Sequence, residues 1–506
     1  MTDEAIAAET SAEQLGNRAV SNSVFILGAR TVSRLVSLVV VIVLANALGD
    51  TRYGQYTTLV VYSGLVAVLG DVGFQSLYTR EAARHRDEIG HYLGTLIVFR
   101  MLLAAVAAVV FAIAVSLGTG LTSLIVPGCA LLVATAFASL LRNTFYSVGR
   151  AEFDAIAIVA ETLIQAVLII FGARRGSGVA YYVWAYAVSY TFTIVYSLLV
   201  IRVFKLGRIR LSLDVSLIRR WLPLALPFAF TFFLTNLYFR AGFVLLQQFR
   251  SFAEVGWFTL AYKPFEALQF VPLAIQTVVY PLLGVYFVSN ASKLAVTYQR
   301  FFKVLVLLGW PLTVGTFVLV HPINQIFNRS GAFAQSEPAL RILALGIVFL
   351  FANSAFYAML NAINRQGLNA WATALAAGLN IALNLVLIPL FGYLGASTVT
   401  VVTEAALCTF GWWFVQLRRP DLRLPVFKLA WRIVVAGLIM GAVLFPVRSF
   451  SIFITVPAGA IVYLVAVIVL RAVDPDEYEV AAESLLSRLQ RNPPRVIVVG
   501  EDAGDA

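Results

Sequence analysis

The sequence predicts an all-α polytopic membrane protein, a single unit of about fourteen transmembrane helices, and three observations carry that prediction. Hydrophobic residues make up 60% of the 506 residues and charged residues only 12%. The mean hydropathy is +0.87. A soluble domain is about 45–50% apolar and about 25% charged, so this chain has too little polar surface to face water. Apolar stretches of about 20 residues recur from end to end, each long enough to cross a hydrocarbon core as a helix with its backbone groups satisfied internally. The polar breaks between them are too short for a separate soluble domain. A soluble enzyme and the disordered, collagenous and disulfide-stapled classes are thereby excluded.

In chain order the apolar runs place helices at roughly 22–47, 57–78, 91–116, 121–147, 154–173 and 178–204. A second set falls at roughly 217–247, 252–285, 297–320, 338–364, 367–391, 393–417, 428–447 and 450–471. Residues 1–17 are acidic and polar without a basic n-region, so the first apolar run reads as a membrane span rather than a cleaved signal. The expected organisation is a cytoplasmic N-terminal segment (1–21), an N-lobe of six spans (22–204), a basic linker (205–216) and a C-lobe of six spans (217–417). Two further spans (428–471) and a tail (472–506) with a short amphipathic stretch, Glu479–Arg491, complete it. Weak internal similarity supports two pseudo-symmetric halves: TRYGQYTTL at 51–59 resembles AEVGWFTLA at 253–261. A duplicated bundle places its substrate site between the halves near the bilayer midplane. Pro223, Pro227, Pro264, Pro272 and Pro311 fall inside spans and predict bent helices there.

Charge sets the orientation. Lys and Arg outnumber Asp and Glu by 37 to 26, a net +11. With the N-terminus in the cytoplasm, the inner loops hold about three times as many cations as the outer ones, led by Arg202, Lys205, Arg208, Arg210, Arg219 and Arg220, with Lys303 counted among them. Both termini are therefore expected inside; only the Arg174–Arg175 pair is discordant. Cys129 and Cys408 lie inside apolar runs and form no disulfide framework.

No phosphate-cradling GxxxxGK[ST] loop is present, and His85, His91 and His321 lie apart at helix ends or in loops, so no ATPase, metal site or cofactor is expected. The outer loops are too short to build a catalytic domain. An ionised side chain at a helix centre costs about 2.5–3.5 kcal/mol on the insertion scale, which makes the charges inside spans informative. They are Arg30, Arg34, Arg100, Arg142, Arg240 and Lys263 against Asp71, Glu161, Glu266 and Glu404. Arg30 and Arg34 project from one helix face and repel, so each needs an acid from another helix or an anionic ligand. Guanidinium suits bidentate phosphate binding. Arg142 and Glu161 read as snorkelling to the interface, with Arg142→Ala expected near neutral, and Arg100 as similarly shallow. Lys263 and Glu266, three apart, can pair on their own helix. Asp71 and Glu404, with Glu266, are candidate counter-ions or ion-coupling groups.

LGDTRYGQYTTL (48–59) followed by LGDVGFQSLYTREAARHR (69–86) resembles the first-hairpin signature of polysaccharide biosynthesis proteins, the Wzx-type flippases of the multidrug/oligosaccharidyl-lipid/polysaccharide exporter superfamily. VGWFTLAYKP (255–264), Pro281 and the segment 361–404 are similar to the second-half patterns, chiefly at Asn380, Asn384, Pro389, Gly392, Gly395 and Ala396. The resemblance implies a MATE-like two-lobed bundle whose central cavity opens alternately to each side of the cell's cytoplasmic (inner) membrane. It implies a polyprenyl-diphosphate-linked oligosaccharide as substrate, flipped from the inner to the outer leaflet. Membrane lipid and other polysaccharide-assembly proteins are implied as partners, and nucleic acid is not. Arg30, Arg34, Arg240 and Lys263 lie on helices of the kind that line that cavity and are the expected substrate-binding residues. A multidrug or cation-coupled exporter of the same superfamily is the alternative, disfavoured by the basic bias of the deep charges. A membrane glycan polymerase or ligase is disfavoured by the short outer loops.

Overall fold

The structure is a computed structural model that describes the backbone of residues 3–329 and 331–473, and side chains from residue 28 onward apart from 231 and 330. The predicted amphipathic stretch Glu479–Arg491 lies outside the described residues. The first half contains α1 (Asp3–Val66), α2 (Phe74–Arg84), α3 (Ile89–Thr119), α4 (Ile125–Ser147), α5 (Ala151–Arg174) and α6 (Val179–Val203). The second contains α7 (Val215–Phe249), α8 (Phe252–Leu268), α9 (Phe270–Ser289), α10 (Ala291–Val318), α11 (Val320–Phe327), α12 (Ser336–Ala344), α13 (Ile347–Ala362) and α14 (Gln366–Arg418). α15 (Val426–Val447) and α16 (Ile452–Val469) follow.

Among the described residues 11 helical stretches are long and apolar enough to cross a membrane, and 12 when α12 and α13, bent by 40°, form one span. Two of these hold two helices each. α1 breaks at Gly49 (φ 71°) and α14 at Gly392 (φ 59°), left-handed conformations that favour glycine. At the second break the chain folds back on itself, since a Cβ on Gly395 would lie 2.3 Å from the Leu387 carbonyl oxygen. Dividing both helices raises the twelve by two, to the number the hydropathy runs predict. The second predicted span stops short of 78: the chain breaks after a 3-10 turn at Ala67–Gly70, with Val72 (φ 46°) and Gly73 (φ 77°) left-handed, and restarts as α2.

α1 packs on α3–α6, and α7–α14 pack on one another, while α15 and α16 dock on α10. Ile433, Met440, Leu444 and Tyr463 of α15 and α16 continue the C-terminal core rather than forming one of their own. The helix ends joined by the loops at 85–88, 148–150, 204–214, 290, 363–365 and 419–425 carry the cation-rich segments and are called the basic end below; the other is the opposite end. Lys303, counted with the loop cations, is instead buried inside α10 at 7% exposure.

The two halves close on each other at the opposite end. The core around Leu44, Tyr53 and Tyr56 recruits Leu260, Phe327 and Phe333 from the second half. Asn46 donates to the Phe327 carbonyl at 2.8 Å and Trp257 Nε1 donates to Asp50 at 3.1 Å. Gly54 and Gly256, equivalent in the internal repeat, make the closest approach. A Cβ on Gly54 would meet Phe252 O at 1.8 Å, and one on Gly256 would meet Asp50 O at 2.2 Å. Each glycine therefore lies against the backbone four residues before the other, a crossing with the two-fold character that a duplicated hairpin produces.

Candidate functional site

Arg34, Arg240, Lys263 and Glu266 come together between the halves. Arg34 is fifteen residues before the break at Gly49, Lys263 eleven after the start of α8, and Arg240 nine before the end of α7. At 1.5 Å per residue they lie about 14–22 Å from the opposite end, in the middle of a hydrocarbon core about 30 Å thick. Lys263 Nζ donates to Glu266 Oε2 at 2.8 Å, as their spacing predicts. The field on the Glu266 carboxylate comes first from Lys263, then from Arg34 and Arg240. Three cations thus share one acid. At this depth Lys263 and Glu266 still expose 30% and 38% of their side chains. The helix that carries them, α8, packs against both α1 and α7, so the pair lies where the two lobes meet.

The cations are held differently. Arg34 is exposed and, among the described residues, has no hydrogen-bond or ion-pair partner. Arg240 crosses the lobe boundary, its guanidinium lying against Gly64 and donating to the carbonyls of Val60 and Val61, both at 3.4 Å. Arg30, nearer the basic end, donates to Tyr146 Oη at 3.1 Å. The expected acid partner of the Arg30–Arg34 pair is therefore not in contact with either residue.

Two readings of single charges are corrected. Arg142 and Glu161 do not snorkel: Arg142 Nε donates to Asp154 at 2.6 Å, its Nη1 lies 3.7 Å from Glu161, and Thr193 donates to Glu161 at 2.7 Å. Asp154, missed in the sequence because it falls at the start of a span, is fully buried and also accepts from Tyr146. An arginine whose loss would leave two buried carboxylates is not a neutral position. Arg100 is not shallow either. It is 5% exposed, ion-paired with Asp71, and donates to the Ala136 carbonyl at 2.6 Å. Asp71 also accepts from the Gln75 amide, so it is the counter-ion of Arg100 at the break before α2.

Glu404 is separate from the basic group. It is 3% exposed; Tyr238 Oη donates to its Oε1 at 3.1 Å, while Oε2 has no partner among the described residues. A cavity of about 20 Å³, roomy enough for one water-sized guest, lies beside it, lined by Asn380, Asn384, Thr400 and Thr403. Asn384 Nδ2 donates to Asn380 and Asn380 Nδ2 to Thr403, leaving Asn384 Oδ1 likewise without a partner among the described residues. Two unsatisfied oxygens on one small cavity are costly unless a guest answers them. Two of the three histidines are held by carboxylates, His91 by Asp214 at 3.1 Å and His321 by Glu337 at 2.7 Å, and no group of metal-ligating side chains occurs among the described residues.

Known proteins match this architecture. The family model for polysaccharide biosynthesis proteins matches residues 19–287, more than half of the chain, and the MatE model matches 227–386. The lipid II flippase MurJ in an inward closed conformation superposes with a TM-score of 0.74 at 15% identity, covering 88% of this chain and 99% of that one. An inward-facing multidrug resistance MATE family transporter of the MOP superfamily superposes at 0.62 with 16% identity, covering 77% and 95%. A MOP superfamily transporter from Pyrococcus furiosus, described as having a binding pocket of reversed polarity, superposes at 0.55 with 18% identity, covering 80% and 96%. At these identities the likeness is one of fold. An uncharacterized membrane protein of Methanocaldococcus jannaschii is 34% identical over 94 residues, a match spanning 19% of this chain and 18% of that protein. With the family model spanning the first lobe and the start of the second, the chain belongs to the polysaccharide biosynthesis protein family and is a multi-pass membrane protein with a fold shared with flippases and transporters.

Proposed function

We propose that the protein flips a polyprenyl-diphosphate-linked oligosaccharide from the inner to the outer leaflet for surface polysaccharide assembly. The observation that carries this reading is the unpaired Arg34, set with Arg240 and Lys263 against a single, partly exposed acid at mid-membrane depth. A diphosphate cannot enter hydrocarbon unaided, because its charge loses hydration without compensation. Guanidinium groups along a wet path replace that hydration while the polyprenyl tail stays in lipid. Arg30 and Arg34, nearest the basic end, receive the headgroup. Arg240 and Lys263 take it at mid-depth, where the phosphate displaces Glu266 from Lys263. The lobes divide at the linker and rock against each other, and the crossing at the opposite end, closed in this state, opens to release the glycan. This assigns the basic end and both termini to the cytoplasm and the protein to the cytoplasmic membrane.

The Glu404 cavity favours cation or proton coupling as the source of drive, the element shared with the exporter alternative. Asp71, held by Arg100, is structural in this reading.

Binding of polyprenyl diphosphate to the purified protein, followed by native mass spectrometry, tests the assignment. Arg34→Ala should weaken it about 10–100-fold, the worth of a charge-assisted hydrogen bond, and Arg34→Lys should restore part. Undiminished binding by Arg34→Ala would overturn the role given to this residue.

A further inference from the structure

We propose that the strap joining the two lobes, residues 202–220, is a binding surface for anionic phospholipid at the basic end. Between Val203 and Val215 the backbone is irregular, yet it is fixed in one register. Lys205, left-handed at φ 52°, turns the chain out of α6. Leu206 and Ile209 then pack inward on the core that contains Ile89, Leu93 and Trp221. The strap lies directly on the first turns of α3: a Cβ on Gly90 would be 2.1 Å from Arg208 O, and one on Gly94 would be 1.9 Å from Arg210 O. The Arg210 amide donates to Gly90 O at 3.4 Å.

That register decides what faces outward. Arg202, Lys205, Arg208, Arg210, Arg219 and Arg220 are all exposed. Interleaved with them, Leu211 and Val215 are 66% and 63% exposed. Some arginines at the same end rest on carboxylates: Arg80 and Arg84 on Glu81, Arg150 on Glu152, the half-buried Arg419 on Asp421. Arg86, Arg365 and Arg418 are exposed without an ion pair among the described residues, but none of these stands in a run of cations interleaved with bare aliphatic side chains as on the strap. Among the described residues no side chain of the strap's six cations has a hydrogen-bond or ion-pair partner. The one acid within the strap, Asp214, is already engaged by Ser216, the Leu217 amide and His91.

Unpaired guanidinium groups alternating with bare aliphatic side chains suit the boundary between lipid headgroups and acyl chains. The cations take phosphate oxygens and the aliphatics sit below them in hydrocarbon. A soluble phosphate would use the cations and leave Leu211 and Val215 in water, so the occupant is a lipid. The inference is independent of the transported substrate.

The test uses the full-length protein in nanodiscs of phosphatidylglycerol or phosphatidylcholine, with retained lipid counted by native mass spectrometry. Each interfacial cation contributes about fivefold to affinity for an anionic surface. Lys205→Gln/Arg208→Gln/Arg210→Gln should therefore lose at least about tenfold in retained phosphatidylglycerol. Arg80→Gln/Arg84→Gln/Arg150→Gln, which removes the same charge at the same end, should keep wild-type retention. Leu211→Ser/Val215→Ser, with all cations in place, should also lose lipid, and inorganic phosphate should not compete. Equal loss in the two charge variants would reduce the effect to net charge and overturn the proposal. So would full retention by the Leu211/Val215 variant together with competition by phosphate.

Discussion

Arg34 and Arg142 show how two arginines in similar apolar runs come to opposite roles. Arg142 lies between Asp154 and Glu161, and its charge is consumed there. Arg34 has no such partner among the described residues, and its field reaches the shared Glu266. Removing Arg142 leaves two buried carboxylates with one cation fewer, and breaking a buried pair in this way costs about 3–5 kcal/mol. Arg142→Ala should lower the melting temperature in detergent by many degrees, whereas Arg34→Ala should leave it unchanged; the reverse order would contradict the assignment. The sequence made Arg34 conspicuous, since a cation at that depth demands an explanation. It hid the Arg142 cluster because Asp154 falls near a span boundary, where an acid is unremarkable. That Arg100 belongs to Asp71 was equally invisible, since the two are 29 residues apart and meet only because the chain breaks at Val72–Gly73.

Single residues set where elements begin and how closely they pack. Asp214 caps α7, accepting from the Leu217 amide at 3.0 Å and from Ser216 at 2.6 Å. Those bonds, Ser216 first, with His91 adding to them, draw its carboxyl from the ordinary 3.8 down to about 2. A depressed carboxyl contributes stability that is present above its ordinary value and lost as the pH falls through the lowered one. The melting-temperature gap between wild type and Asp214→Ala should hold at pH above about 4 and close towards pH 2; a gap that persists there would contradict the cap. Gly54 and Gly256 fix the crossing at the opposite end. Gly54→Ala puts a methyl group where the Phe252 carbonyl lies and should pry the crossing open. A cysteine at Leu260, which is 2% exposed, should then become reactive to an impermeant thiol reagent in a background without Cys129 and Cys408. Unchanged protection would show that the glycines do not hold the seal. The helices themselves were legible, most ends falling within a few residues of the hydropathy runs, because span length is dictated by the bilayer. The repeat was legible as well, but that its two glycines meet is a tertiary fact.

At the scale of the molecule, the lobes are closed at one end, share a cluster of charges in the middle, and are joined by a strap at the other end. Duplication and deep charge are what led the sequence to predict two lobes and a midplane site. The Glu404 cavity did not, because a buried acid in a sequence does not reveal whether its oxygens are answered. The same limit applies to the strap: its basicity is plain in the sequence, but that its cations lack acid partners among the described residues is visible only in three dimensions. The central claim is that guanidinium groups between the lobes carry a diphosphate headgroup across the membrane. Its most direct test is the rate at which purified protein in proteoliposomes flips a polyprenyl-diphosphate-linked oligosaccharide, compared between wild type and a fully folded Arg34→Ala variant. A loss of tenfold or more, about 1.4 kcal/mol at the barrier, is the predicted result; equal rates would contradict it.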